Sequence, residues 1–379
     1  MNFFEDIVCQ ENKTGYSVCG DTYLSARKAE GTVFILCDGI GSGVYANIAA
    51  ITCMSRLINL LQNGVSVRAA CEMVAGSMHR ARTEDIPFSA FSTALLLPSG
   101  KFVVYTYESP DVVLLQDKTA QVLRPQFYTT GYEMIGETNG FLRRGDALLL
   151  SSDGVTQAGL GRAHNLGIGA KGLADYVTEL AKTVDDPYIL PRKILDMCAG
   201  LAENRYEDDS TSALILCREA KQLTIVTGPP SKPSLDPDYV EEFMQSPGRK
   251  VICGSSTADI VARELGKKVD ILTMRSPFEP PEYYIEGIDL TTEGAITLNQ
   301  AYNILDESLE PCEDSTVVER LCLMLKEADA IRLMVGNAMN EAHETMLFKQ
   351  VGVRVRMKTL QLIVKKLRAM GKLVVERRY

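Results

Sequence analysis

Three apolar, strand-like runs in this chain begin or end at short acidic motifs. Val33 to Cys37 leads into Asp38-Gly39, Leu148 to Leu150 leads into Ser151-Ser152-Asp153-Gly154, and Glu207-Asp208-Asp209-Ser210-Thr211 precedes Ala213 to Leu216. This constrains the fold, because such runs must be buried in a sheet while their charged ends stay at its edge. A lone Asp-Gly is an ordinary turn. Three carboxylate-bearing strand ends, far apart in sequence, are instead suited to converge on one sheet edge and hold hard divalent cations, which reads first as a metal-dependent hydrolase. Asp21, after Cys19-Gly20, offers a fourth carboxylate. Oxygen ligands without a histidine select Mn²⁺ or Mg²⁺ over Zn²⁺.

The 379 residues are 46% apolar and 23% charged, enough to fill two compact domains and too apolar for disorder. A net charge of −9 argues against nucleic acid as the main partner. Ten cysteines without a CxxC pair read as small buried hydrophobes in a reducing compartment. No signal-peptide pattern opens the chain and no apolar run approaches the roughly 18 residues of a membrane span. The expectation is a cytoplasmic protein with no membrane partner.

Hydrophobic periodicity predicts strands at 17–26 and 31–37, helices at 44–62 and 67–82, and strands at 92–97, 101–107, 112–115 and 147–151. Helices at 172–182 and 191–203 and a strand at 211–217 follow. This succession predicts an α+β domain over residues 1–220. Pro229, Pro230, Pro233 and Pro237 place a stiff linker at 221–238. Residues 239–379 read as a smaller α/β domain, with strands at 250–253, 269–274, 330–335 and 372–376 and helices at 258–265, 317–327 and 358–370.

Five motifs then occur in order: Gly20-Asp21-Thr22-Tyr23, Cys37-Asp38-Gly39-Ile40-Gly41-Ser42-Gly43, Phe91-Ser92-Thr93-Ala94-Leu95, Arg144 to Val155 with its Ser151-Ser152-Asp153-Gly154, and Asp208-Asp209-Ser210-Thr211. In order and spacing they resemble the PPM-type metal-dependent protein phosphatases, above all the bacterial branch named for the stage II sporulation E serine phosphatase. The resemblance covers about residues 1 to 220. It implies a four-layer α-β-β-α sandwich with a dinuclear Mn²⁺ or Mg²⁺ site at one sheet edge. Carried over position by position, Asp38 would bridge two cations and the Gly39 carbonyl would bind one of them. Asp153 and Asp208 would complete the first metal's shell, Asp21 would bear on the second, and Asp209 would be an extra ligand or an acceptor behind the ligands. Asp38 and Asp153 are then the catalytic pair, and a water activated between cations about 4 Å apart attacks phosphorus in line.

The chain departs from the animal members, which use an N-terminal arginine for phosphate and a histidine as general acid. His79, His164 and His343 match no such motif, and the spacing of Arg27 does not compel a phosphate contact.

The implied activity is hydrolysis of phosphoserine or phosphothreonine in a protein substrate, with the C-terminal domain regulatory. The alternatives are a hydrolase of small phosphorylated metabolites and a catalytically idle scaffold. In the C-terminal domain, Gly254, Ser255, Ser256 and Thr257 form a turn between strand and helix. It could take a small anionic ligand at the helix N-terminus, or serve only as a Ser or Thr cap. The sequence leaves the oligomeric state open, a dimer being one option.

Overall fold

The computed structural model describes residues 1–131, 133–272, 279–338 and 356–379. The chain divides into two compact units, Met1–Ala26 with Glu30–Glu219, and Arg27–Ala29 with Ala220–Tyr379.

In chain order the first unit holds strands β1 (Asn2–Glu11), β2 (Asp21–Lys28) and β3 (Gly31–Gly39), helices α1 (Val44–Gln62) and α2 (Val67–Thr83), and strands β4 (Ser89–Leu96), β5 (Lys101–Tyr107), β6 (Val113–Gln116), β7 (Thr119–Val122), β8 (Gln126–Thr130), β9 (Glu133–Phe141) and β10 (Ala147–Ser151). It ends with helices α3 (Asp153–Thr156), α4 (Gly169–Thr183) and α5 (Leu190–Leu201) and strand β11 (Ser210–Glu219). One sheet has the order β1-β11-β10-β6-β7 and the other β2-β3-β4-β5-β9-β8. The ladders β1–β11, β11–β10, β10–β6 and β6–β7 of the first sheet and β3–β4, β4–β5, β5–β9 and β9–β8 of the second run antiparallel.

Strand alternation sorts these side chains into layers. Phe34, Leu36 and Val104 of one sheet meet Leu148, Leu150 and Ile215 of the other in a core between the sheets. Ile35, Cys37 and Phe91 point the other way, under Ala50, Cys53 and Leu57 of α1 and Val74 of α2. Leu149 and Leu214 pack beneath Leu173 and Val177 of α4 and Ile194 and Leu195 of α5. Burial on both faces is why these strands are continuously apolar. The result is the four-layer α-β-β-α sandwich. Contrary to the expectation that no apolar run approaches a span's length, α1 is long and apolar enough to cross a membrane; Ala46, Ala49, Ala50, Cys53 and Leu57 are buried against the sheet, while Val44, Tyr45, Ile48 and Ile51 are exposed.

The second unit is a three-layer α/β structure. Among the described residues its elements are β12 (Gln222–Thr227), α6 (Asp236–Gln245), β13 (Arg249–Cys253), α7 (Ser255–Leu265), β14 (Asp270–Ile271), β15 (Glu282–Tyr284), β16 (Leu290–Thr292), α8 (Ala295–Ile304), α9 (Val317–Glu327), β17 (Ala330–Val335), α10 (Arg356–Ala369) and β18 (Leu373–Arg378). The sheet order is β14-β15-β16-β13-β12-β17-β18, parallel from β16 to β18 and antiparallel at the β14–β15–β16 edge. Tyr239, Val240 and Phe243 of α6 and Val261 of α7 cover one face. The other is covered by Leu298 of α8, Leu321 of α9 and Ile363 of α10.

This corrects the linker expected at 221–238. Residues 222–227 form the strand between β13 and β17, with Leu223, Ile225 and Val226 buried. The prolines start helices instead of forbidding them. Pro233 opens a 3₁₀ turn and Pro237 lies in the first turn of α6, where a missing N–H costs nothing. Of the strand expected at 269–274, residues 270 and 271 form β14, while Thr273 and Met274 lie outside the described residues.

Candidate active site

Asp38 stands at the penultimate position of β3, Asp21 opens β2, Asp153 follows β10 as the first residue of α3, and Asp208 and Asp209 precede β11. Two sheets therefore bring residues far apart in sequence to one place. The Asp153 backbone N–H donates to Asp38 Oδ2 at 3.2 Å, and Thr211 Oγ1 donates to Asp21 Oδ2 at 2.6 Å. Asp209 Oδ1 accepts the Lys13 N–H at 2.9 Å, and Asp208 Oδ1 accepts the Ser42 hydroxyl at 3.5 Å and the Asp209 N–H at 3.0 Å. Gln157, one helical turn beyond Asp153, donates to Asp153 Oδ2 at 2.8 Å.

Two glycines permit this approach. A Cβ on Gly39 would lie 1.9 Å from the Ala46 carbonyl oxygen, and one on Gly154 would lie 2.1 Å from that of Asp209. The Ser152 hydroxyl donates to the Asp209 carbonyl at 3.5 Å and accepts the Thr211 N–H at 2.8 Å, which ties the ends of β10 and β11 together.

The carboxylates repel one another in a place poor in solvent. Burial pushes the Asp21 carboxyl up to about 6, and the nearby Asp209 charge adds to this against the hydrogen bonds from Thr211 and Ser152. Burial, followed by the charges of Asp21 and Asp153, holds Asp38 well above the ordinary aspartate range. Asp153 is raised by burial and by the charge of Asp208, and Asp208 is raised mainly by burial. The Cys19 thiol, pushed up to about 12 by burial and then by Asp21, stays protonated.

The electrostatic contacts link Asp209, Asp21, Asp38, Asp153 and Asp208 in turn, and Asp208 with Asp209 closes the ring. Among the described residues no three His, Cys, Asp or Glu side chains are placed closely enough to hold a cation as they stand. The donor set nevertheless fits hard divalent cations, because its atoms are carboxylate oxygens. Asp21 Oδ1 and Asp209 Oδ2 are also buried without a hydrogen-bond partner. A cation would supply the missing partner and relieve the repulsion.

Other candidates lie elsewhere. Arg27 is about 20 Å along β2 from Asp21, at a strand rise of roughly 3.3 Å per residue, so it is no phosphate ligand of this cluster. His164 is on an exposed loop, His79 pairs with Glu133, and His343 lies outside the described residues. In the second unit Gly254 is the N-cap of α7 and no side chain caps that helix, so the Ser or Thr cap is absent. The Gly254 N–H is already committed to the Thr292 carbonyl at 2.8 Å, and Ser255 and Ser256 are exposed. Thr257 Oγ1 is buried with no hydrogen-bond partner.

The supports that sequence reasoning left without a role are Lys13, Ser42, Ser152, Gln157 and Thr211. Gln157 alone carried a local signal, its spacing of four from Asp153.

A chain with this sandwich and these carboxylates has the architecture of a PPM-type phosphatase domain. The profile described as stage II sporulation protein E matches residues 28–218, half of the chain, and the chain belongs to that family. Among solved structures, the RsbU and RsbW domains of Rv1364c from Mycobacterium tuberculosis are 20% identical, with a TM-score of 0.48 over 57% of this chain and 60% of that one. The PP2C phosphatase domain with a fragment of the regulatory domain of SpoIIE from Bacillus subtilis is 17% identical, with a TM-score of 0.49 over 57% and 64%. PppA of Pseudomonas aeruginosa is 14% identical, with a TM-score of 0.43 over 57% and 98%. The chain thus spans less than two thirds of the first two. No curated protein matches it.

Proposed function

We propose that the first unit is a metal-dependent phosphatase acting on phosphoserine or phosphothreonine in a protein substrate. The observation that carries this reading is a cluster of five carboxylates, Asp38, Asp153 and Asp208 half-buried and Asp21 and Asp209 buried with unpartnered oxygens, in a member of a phosphatase family. Such an arrangement is unfavourable without cations. Asp38, Asp153 and Asp208 would hold one Mn²⁺ or Mg²⁺ and Asp38 with Asp21 a second, with the Gly39 carbonyl beside them and Asp209 behind Asp21. When bound, two such cations supply an activated water and neutralise phosphoryl oxygens.

The protein's own contribution is placement. The Asp153 N–H fixes the rotamer of Asp38. Thr211 and Gln157 orient Asp21 and Asp153, each leaving one oxygen of its carboxylate free of its hydrogen bond. Ser42 ties the turn before α1 to Asp208. Nothing here calls for a covalent phosphoenzyme. The second unit contributes none of these carboxylates, and we assign it a regulatory role in a cytoplasmic enzyme.

The test is hydrolysis of 4-nitrophenyl phosphate and of a phosphoserine peptide by the full chain with Mn²⁺, Mg²⁺ or chelator. Cation-dependent turnover of both supports the reading. Turnover of small phosphorylated metabolites with none of the peptide supports the metabolite hydrolase, and no turnover of any substrate supports the idle scaffold.

A further inference from the structure

We infer that a hollow beside Asp208 is the subsite that reads the sequence around the phosphorylated residue, accepting an apolar side chain of the substrate next to an acidic one. This rests on the phosphatase reading above and names the substrate class for the same site. The hollow has a volume of about 270 Å³, and Gly154 and Asp208, members of the acidic site, form part of its wall. It therefore lies on the Asp153–Asp208 side of the carboxylate cluster. Pockets for drug-sized ligands start at roughly 300 Å³, so this one suits a single side chain better than a nucleotide.

Its chemistry is two-sided. Ala158 and Leu160 from the loop after α3, and Cys198 and Ala202 from the end of α5, give an apolar wall. Cys198 and Ala202 are buried and Leu160 is 46% exposed, so the wall runs from the core to the surface. Gln157, Arg205, Tyr206, Glu207, Asp208 and Ser210 make the rest of the lining polar. The neighbouring Arg162 is committed to Glu203 and Glu207, at 3.0 Å each. Arg205 differs: among the described residues its guanidinium has no hydrogen-bond or ion-pair partner, although it is exposed beside the hollow. With Glu207 paired to Arg162, a free Arg205 guanidinium among the lining residues, together with the apolar wall, matches a carboxylate next to an apolar side chain.

Reach agrees with this. An extended peptide advances at most about 3.6 Å per residue, so with its phosphate at the carboxylates the side chain entering the hollow belongs to a residue one or two positions from the phosphoserine.

The experiment uses the full chain with Mn²⁺ and a set of phosphoserine peptides carrying Leu or Ala at each of the two positions on either side, with Glu or Lys beyond. 4-Nitrophenyl phosphate, which has no flanking residues, is the control. We expect kcat/KM to favour Leu over Ala by about 10-fold at one position, the discrimination a small apolar pocket achieves. In Ala202→Leu, which fills the hollow, the ratio falls to about one while 4-nitrophenyl phosphate turnover is retained. Arg205→Ala loses the preference for Glu over Lys and keeps that for Leu. Leu160→Ala, at an exposed wall position, lowers the Leu preference and decides the matter if Ala202→Leu fails to fold. Equal kcat/KM for Leu and Ala at every position, or a full Leu preference in folded Ala202→Leu or in Leu160→Ala, overturns the subsite. Loss of all metal-dependent turnover of 4-nitrophenyl phosphate in the wild type would instead contradict the phosphatase reading beneath it.

Discussion

The backbone N–H of Asp153 donates to Asp38 Oδ2 at 3.2 Å, joining the start of α3, just after β10 of one sheet, to the end of β3 in the other. The bond makes the site a property of how the two sheets pack. It leaves Asp38 between the charges of Asp21 and Asp153, which add to burial in holding its carboxyl well above the ordinary aspartate range.

Metal-free protein should record that conflict as a pH dependence. Asp21 titrates at about 6 in the folded chain against 3.8 for an ordinary aspartate. Between those values the folded state binds more protons than the unfolded state. Stability from this group is therefore complete below 3.8 and is lost as pH rises through 6. In chelator, Asp21→Asn should match or fall below wild type in urea unfolding at pH 4 and exceed it at pH 7.5, by at most about 3 kcal/mol. A gap independent of pH would show that Asp21 is not strained by ionisation.

Thr211→Val removes the donor to Asp21 Oδ2 while keeping a branched side chain of similar volume. Cation affinity by calorimetric titration should fall about 10-fold, as loss of a group that orients a metal ligand usually costs, and Thr211→Ser should restore most of it. Equal affinity in all three proteins would remove Thr211 from the site.

Gly154→Ala places a Cβ 2.1 Å from the Asp209 carbonyl oxygen, where backbone must move. The expected cost is about 1–3 kcal/mol, a fall of roughly 5 °C in the thermal midpoint. Weaker Mn²⁺ binding should accompany it, because the displaced segments carry Asp153 and Asp209. An unchanged midpoint would mean that the β10–β11 junction is looser than described.

Much of this was legible in the sequence. The strands at 101–107, 147–151 and 330–335 and the helices at 44–62 and 317–327 fall where periodicity puts them, since each is an uninterrupted apolar pattern bounded by a turn signal. β1 was not legible. Its Glu5 and Asp6 interrupt the alternation, and only its ten-residue pairing with β11 makes it a strand. β12 was hidden by the prolines after it, whose role as helix starters depends on a sheet for α6 to pack against.

The same division holds at the site. Asp21, Asp38, Asp153 and Asp208 announce themselves by lying at strand ends. Lys13, Ser42 and Thr211 contribute through contacts with residues far away in the chain, a relation no local pattern encodes.

The account rests on Asp38 as the centre of a cation-dependent site. The most direct measurement is the Mn²⁺ dependence of 4-nitrophenyl phosphate hydrolysis by wild type, Asp38→Ala and Asp153→Ala, each checked for folding by circular dichroism. The account predicts turnover that chelator abolishes in wild type and a loss of at least about 10³-fold in either folded variant, the scale of removing a main electrostatic element of catalysis. Undiminished turnover in folded Asp38→Ala, or wild-type turnover indifferent to chelator, would contradict it.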